Sequence, residues 1–127
     1  MGMKSLDKNQ LVKFRQKYRS IGSVKCPAFS GEPVFFGRNG FYHLIRKGLK
    51  LRGSDVQSSR LELIRFAPYI LTVSKSYESF TVIEESNKTR RKIKFWSFIR
   101  YGLLERKITV VVRQVGDGRK EFYSIFS

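Results

Sequence analysis

Histidine and cysteine are almost absent from this chain, and acidic residues are few beside the basic ones. A single His, His43, and a single Cys, Cys26, stand among 127 residues. That scarcity excludes an intrachain disulfide and any multi-cysteine zinc centre. Scattered carboxylates such as Glu62, Glu84 and Glu85 offer no two-metal spacing, so neither a metal nor another cofactor is expected. Cys26, directly before Pro27, reads as a small half-buried residue, and nothing near it marks a helix N-terminus that would lower its pKa. One lone thiol is compatible with a reducing cytoplasm, which is the expected location. Membrane attachment would want a span of roughly 20 apolar residues or one strongly amphipathic basic helix, and no uncharged run approaches that length. The first 25 residues interleave charged with apolar side chains, so no secretory signal is expected. The only glycine-rich piece, Gly116-Asp117-Gly118, sits between two strand patterns and is not a strand-to-helix phosphate cradle.

Acid is scarce beside a large excess of base. Only 10 Asp and Glu stand against 26 Lys and Arg, a formal net charge of +16, far beyond what solubility asks of a small protein. Such an excess points to a polyphosphate partner, because each cation placed on a phosphate releases condensed counterions. Eleven Phe, six Tyr and one Trp, within a 41% hydrophobic composition, supply a real core for one domain. A single domain over residues 1–127 is expected, helical over about 5–74 and a sheet over about 79–127.

Ser5 or Asp7 can cap a first helix on which Leu11, Phe14 and Tyr18 recur at helical spacing. An irregular stretch then leads to a short strand at Pro33-Val34-Phe35-Phe36. Asn39 is expected to cap a second helix running to about Lys47, with Gly48 as its left-handed stop. Phe41, Leu44 and Ile45 cluster on one side of that helix, while His43 and Lys47 share the other. His43 is therefore not expected in the core. Ser54 and Gln57 match a capping box opening a third helix, whose apolar face holds Val56, Leu63, Ile64 and Ala67 and which Pro68 kinks.

From Ser79 onward the period changes to two. Strands are expected at 80–84, 92–99, 107–114 and 121–126, joined by a polar turn at 86–89 and the glycine turn at 116–118. Within 92–99, Ile93, Phe95, Ser97 and Ile99 face one way and Lys94, Trp96, Phe98 and Arg100 the other. The fold class that follows is α+β, with N-terminal helices packed on one face of a four-stranded antiparallel sheet.

One histidine among many cations suits metal-independent RNA cleavage, in which the substrate's own 2′-hydroxyl attacks the adjacent phosphorus. His43 is the side chain fitted without special tuning to move a proton near neutrality. Lys47 would hold the phosphate. Arg113 interrupts an apolar strand on the face shared by Thr109 and Val111, and Ser124 lies across the hairpin, so both are candidates for a cleft. RNA-backbone contacts are expected from Lys50, Arg52 and Arg60 and from the basic hairpin Arg90, Arg91 and Lys92. Plainer readings stand beside these. His43 can be a solvated helix residue, Lys47 a last-turn lysine opposing the helix dipole, and Arg113 an edge charge that blocks aggregation. Trp96 is expected among the RNA-binding residues as a base-stacking platform, with the core as its plainer reading, and Arg60 can instead pair with Glu62, Glu84 or another acid.

Cys26-Pro27-Ala28, the run from Gly31 to Phe36, the run from Gly40 to Lys47, Arg60-Leu61-Glu62-Leu63-Ile64, and the closing hairpin through Arg113-Gln114 to Tyr123-Ser124 together resemble a known group. They resemble the phage and mobile-element branch of the barnase, EndoU, colicin and RelE-like (BECR) superfamily, over about residues 24–127. The resemblance implies N-terminal helices on a four-stranded antiparallel sheet and a toxin-like endoribonuclease leaving a 2′,3′-cyclic phosphate. It implies that His43, Lys47, Arg113 and Ser124 match active-site positions, and that tRNA is a candidate substrate. A non-catalytic RNA-binding or ribosome-associated module is the other reading of the same residues. If the protein is a toxin, an acidic antitoxin or immunity protein is expected to cover the cleft, and the free protein to be a monomer.

Overall fold

A computed structural model describes residues 8–47, 50–51, 53–84, 91–102 and 105–127. Helix α1 spans Lys8–Ile21. Its apolar stripe does what the spacing implies: Tyr18 is buried, and Leu11 and Phe14 pack against the core. Ser5 and Asp7, the expected caps, lie outside the described residues. Strand β1 (Ser23–Lys25), a 3-10 turn at Pro27–Phe29 and strand β2 (Pro33–Phe35) follow. Cys26 is completely buried at the start of that turn, and burial pushes its thiol pKa up.

Helix α2 covers Arg38–Ile45, two residues short of the expected end. Arg46 is extended, at φ −131 and ψ 150, and the chain continues as β3 (Arg46–Lys47), paired antiparallel with β4 (Lys50–Leu51). The helix is entered at Gly37 with no side-chain cap, not at Asn39. Helix α3 (Ser54–Leu63) begins after Gly53, and the expected Ser54–Gln57 capping box rests on the Ser54 side chain, which lies outside what is described. The Gln57 backbone N–H donates to the Gly53 carbonyl at 3.0 Å. After a 3-10 turn at Ile64–Phe66, helix α4 (Ala67–Val73) restarts with Pro68 in its first turn, where a missing N–H costs nothing. Among the described residues no helix is long and apolar enough to cross a membrane.

Strands β5 (Ser79–Glu84), β6 (Lys92–Tyr101), β7 (Lys107–Val115) and β8 (Lys120–Phe126) form the expected antiparallel meander. The sheet is larger than that. Its described strands run β1-β2-β8-β7-β6-β5, six strands of mixed direction, because β2 lies parallel to β8 through Val34–Lys120 and Phe35–Glu121. The short strand expected at 33–36 is β2, whereas β1, of three residues, is too short for a period of two to register. β1 is held by β2 through pairs such as Val24–Val34, and β2 in turn by a partner 86 positions away in the chain, as in the Val34–Lys120 pair.

One face of the sheet carries Trp96, Phe98, Ile108, Val110, Val112, Phe122 and Ile125, all buried in a single cluster with Leu44, Leu61, Leu63, Ala67, Ile70 and Leu71 from the helices. Beyond Glu121, β8 has no described strand on its outer side, and α2 packs there. The approach is close. A Cβ on Gly40 would stand 2.5 Å from the Phe122 carbonyl oxygen and from the Tyr18 hydroxyl. That hydroxyl donates to the Gly37 carbonyl at 2.6 Å, and burial, followed by the charge of Glu121, raises the Tyr18 pKa.

The β7–β8 pairing carries a bulge. Val112 faces Phe122 and Val111 faces Ser124, which leaves Tyr123 as the extra residue. A regular strand would send Ser124 to the same face as Phe122. The bulge keeps both Tyr123 and Ser124 off the helix-packed face and restores the core alternation at Ile125.

Candidate nucleic-acid cleft

Helix α2 brings His43 over the face of the sheet that the core does not use. The imidazole lies flat on the Tyr123 ring, with centroids 4.2 Å apart and planes inclined by 24°. Tyr123 is fixed from two sides: Phe95 meets it edge-on at 5.4 Å, and the Arg113 guanidinium sits 4.9 Å from its ring centre. Phe95 and Arg113 are register partners on β6 and β7. The phenol at Tyr123 thus becomes a floor on which one cation and one imidazole are held at defined positions.

Around this floor opens a cleft of about 640 Å³, whose described walls are Asn39, Tyr42, His43, Arg46, Arg113 and Tyr123. A second cleft of about 480 Å³ shares Asn39 and Arg113 with it and adds Arg91 and Arg119. Glu121 also lines the second cleft and accepts a 2.8 Å hydrogen bond from Arg119. Cations therefore follow one another along a continuous surface, which is the electrostatic form a phosphate chain needs. Among the described residues no three His, Cys, Asp or Glu side chains cluster as metal ligands would.

Of the residues singled out from the sequence, His43 and Arg113 meet in one cleft, and Arg91 lies along its continuation. Lys47 is not beside His43 on a helix. It occupies β3 opposite Lys50, and the early end of α2 gives the adjoining cation position to Arg46. Nothing further is described for the side chains of Lys47 and Lys50, and Arg52 and Arg90 lie outside the described residues. Ser124 and Arg60 are joined to each other. The Arg60 guanidinium donates to Ser124 Oγ at 2.8 Å and lies 5.8 Å from the Phe126 ring centre. Ser124 is only 4% exposed, and neither residue is among the cleft's described walls, so the pair braces α3 against β8.

Trp96 is no stacking platform. It is 7% exposed, with Phe29 edge-on at 5.0 Å, Phe80 at 5.3 Å and the Lys120 ammonium over its ring. Lys92 is exposed at the start of β6, opposite Glu84.

Four of the cleft's described walls were not foreseen as site residues: Asn39, Tyr42, Arg46 and Tyr123. Arg38 donates to the Tyr42 hydroxyl from Nε at 3.4 Å and from Nη2 at 3.3 Å. That bond first, and then the charges of Arg38, Arg15 and Arg46, hold the phenol below its ordinary pKa. Its position beside His43 in the sequence was a legible signal, and Tyr123, next to Phe122 of the core, follows from strand alternation. No protein-family model matches the sequence, and neither a curated protein nor a solved structure matches the chain.

Proposed function

We propose that this protein is an endoribonuclease acting without a metal ion, with its reaction centre in the His43 cleft. The observation that carries the reading is the convergence of His43 with Arg46, Arg113 and Tyr42 on a fixed aromatic floor. In the reaction the ribose 2′-oxygen forms a bond to the adjacent phosphorus and the bond from phosphorus to the 5′-oxygen breaks. A 2′,3′-cyclic phosphate and a 5′-hydroxyl end result. One proton leaves the 2′-oxygen and another arrives on the 5′-oxygen. His43 serves one of these transfers, and Tyr42, with its lowered pKa, serves the other. Arg113 and Arg46 stabilise the charge that builds on the non-bridging oxygens. The resemblance to the BECR superfamily belongs to this proposal, as do a cytoplasmic site of action, tRNA as the substrate to try first, and an acidic inhibitor that would compete for the same groove.

Incubation of the purified protein with total RNA in EDTA tests the reading. Cleavage leaving 2′,3′-cyclic phosphate ends is expected from wild type, with a loss of about 10²- to 10⁴-fold in His43→Ala. Intact RNA at high concentrations of both proteins would leave only a non-catalytic RNA-binding module.

A further inference from the structure

Adjoining Tyr42 is a smaller pocket, about 260 Å³, between α2 and the C-terminal half of α1. Arg15, Arg19 and Arg38 line it. Arg15 and Arg19 are four residues apart on one helix and so share a face. Arg38 reaches the pocket from the first position of α2. No carboxylate is among its described walls. Arg15 and Arg19 make no hydrogen bond or ion pair among the described residues. Three guanidinium groups gathered around one concavity repel one another, and an anion placed among them removes that cost. The effect is already felt by Tyr42, which Arg38 and Arg15 both push towards its ionised form.

Tyr42 is also a wall of the His43 cleft. The two concavities therefore adjoin at one side chain, which makes the arginines the neighbouring cations for a phosphate chain that passes Tyr42. We propose that the Arg15, Arg19 and Arg38 pocket is a second phosphate subsite, holding a backbone phosphate of the RNA strand that flanks the one in the His43 cleft. The choice of RNA as the polymer rests on the functional reading above; the anion site itself rests on the arginines.

The test uses a single-stranded octaribonucleotide carrying 2′-O-methyl groups throughout, which keeps the phosphates but has no 2′-hydroxyl to attack. Binding is measured against salt concentration for wild type, Arg15→Gln with Arg19→Gln, and Lys13→Gln with Lys17→Gln. The last pair removes the same charge from the same helix outside the pocket. The arginine variant is expected to bind about tenfold more weakly, with a slope of log affinity against log salt shallower by about 0.7, the value of one single-strand phosphate contact. The lysine variant is expected to change much less. An unchanged slope in the arginine variant, an equal loss in the lysine variant, or no binding by wild type would overturn the subsite. Because the probe cannot be cut, an absence of RNA cleavage in the EDTA assay leaves this measurement intact, so failures of the two proposals are told apart.

Discussion

The two faces of this sheet are built from the same strands by opposite rules. Trp96, Phe98, Val110 and Val112 vanish under the helices, where area removed from water is the dominant stabilising term. Phe95 and Arg113, one step out of phase on the same strands, remain half-buried and support Tyr123. Burial on one side gives the site on the other a rigid backing. His43 reaches the second face because α2 straddles the outer side of β8, with Leu44 in the core and its neighbour His43 on Tyr123. A floor of this kind can hold an imidazole and a guanidinium in place without making either of them part of the core.

The comparison can be broken most severely from the core side. Phe98→Ala is expected to cost about 3–5 kcal/mol, read as a lower urea midpoint. Phe95→Ala, three residues earlier and on the opposite face, should cost well under half of that while weakening cleavage through Tyr123. Equal costs would mean that the two faces are not distinct. Arg113→Ala should lower kcat/KM on RNA by about 10²- to 10³-fold and leave the urea midpoint nearly unchanged. Arg113→Lys should recover only part of that loss, because an ammonium lacks the planar fork. Gly40→Ala tests the α2–β8 contact that joins the faces. With a backbone oxygen 2.5 Å from the new Cβ, a cost of about 1–3 kcal/mol is expected.

The smallest effect concerns Tyr18 beneath α2. Its pKa is raised in the folded state by burial, so the native protein favours the protonated phenol. That contribution is fully present below the unfolded value of about 10 and is lost as pH rises above it. The stability difference between wild type and Tyr18→Phe should therefore shift against wild type above pH ~10, in paired denaturant titrations. A constant difference across pH 8–11 would place that phenol in water.

Much of this architecture was legible because it is written in local periods. The Leu11–Phe14–Tyr18 stripe, the restart at Pro68 and the alternation of β6 and β7 each follow from spacing within one element. So do the placement of Arg113 off the core and the exclusion of His43 from it. What failed was decided by how the chain pairs and packs, which residue type alone does not specify. Asn39 and Lys47 looked like the bounds of a helix, yet the chain turns extended at Arg46 and forms a short pairing with β4. Trp96 was open to two readings on sequence, and only Phe29, Phe80 and Lys120 around it decide for the core.

By itself the sequence determined a strongly basic α+β domain, its main helices, its antiparallel meander and one histidine held apart from the core. Charge is additive and periodicity is local, so both can be read from a string. The parallel β2–β8 pair, the union of Arg60 with Ser124 and the stacking of His43 on Tyr123 came from the tertiary structure alone. Each depends on a partner far along the chain, and a single extra residue in one strand changes the face that Ser124 takes.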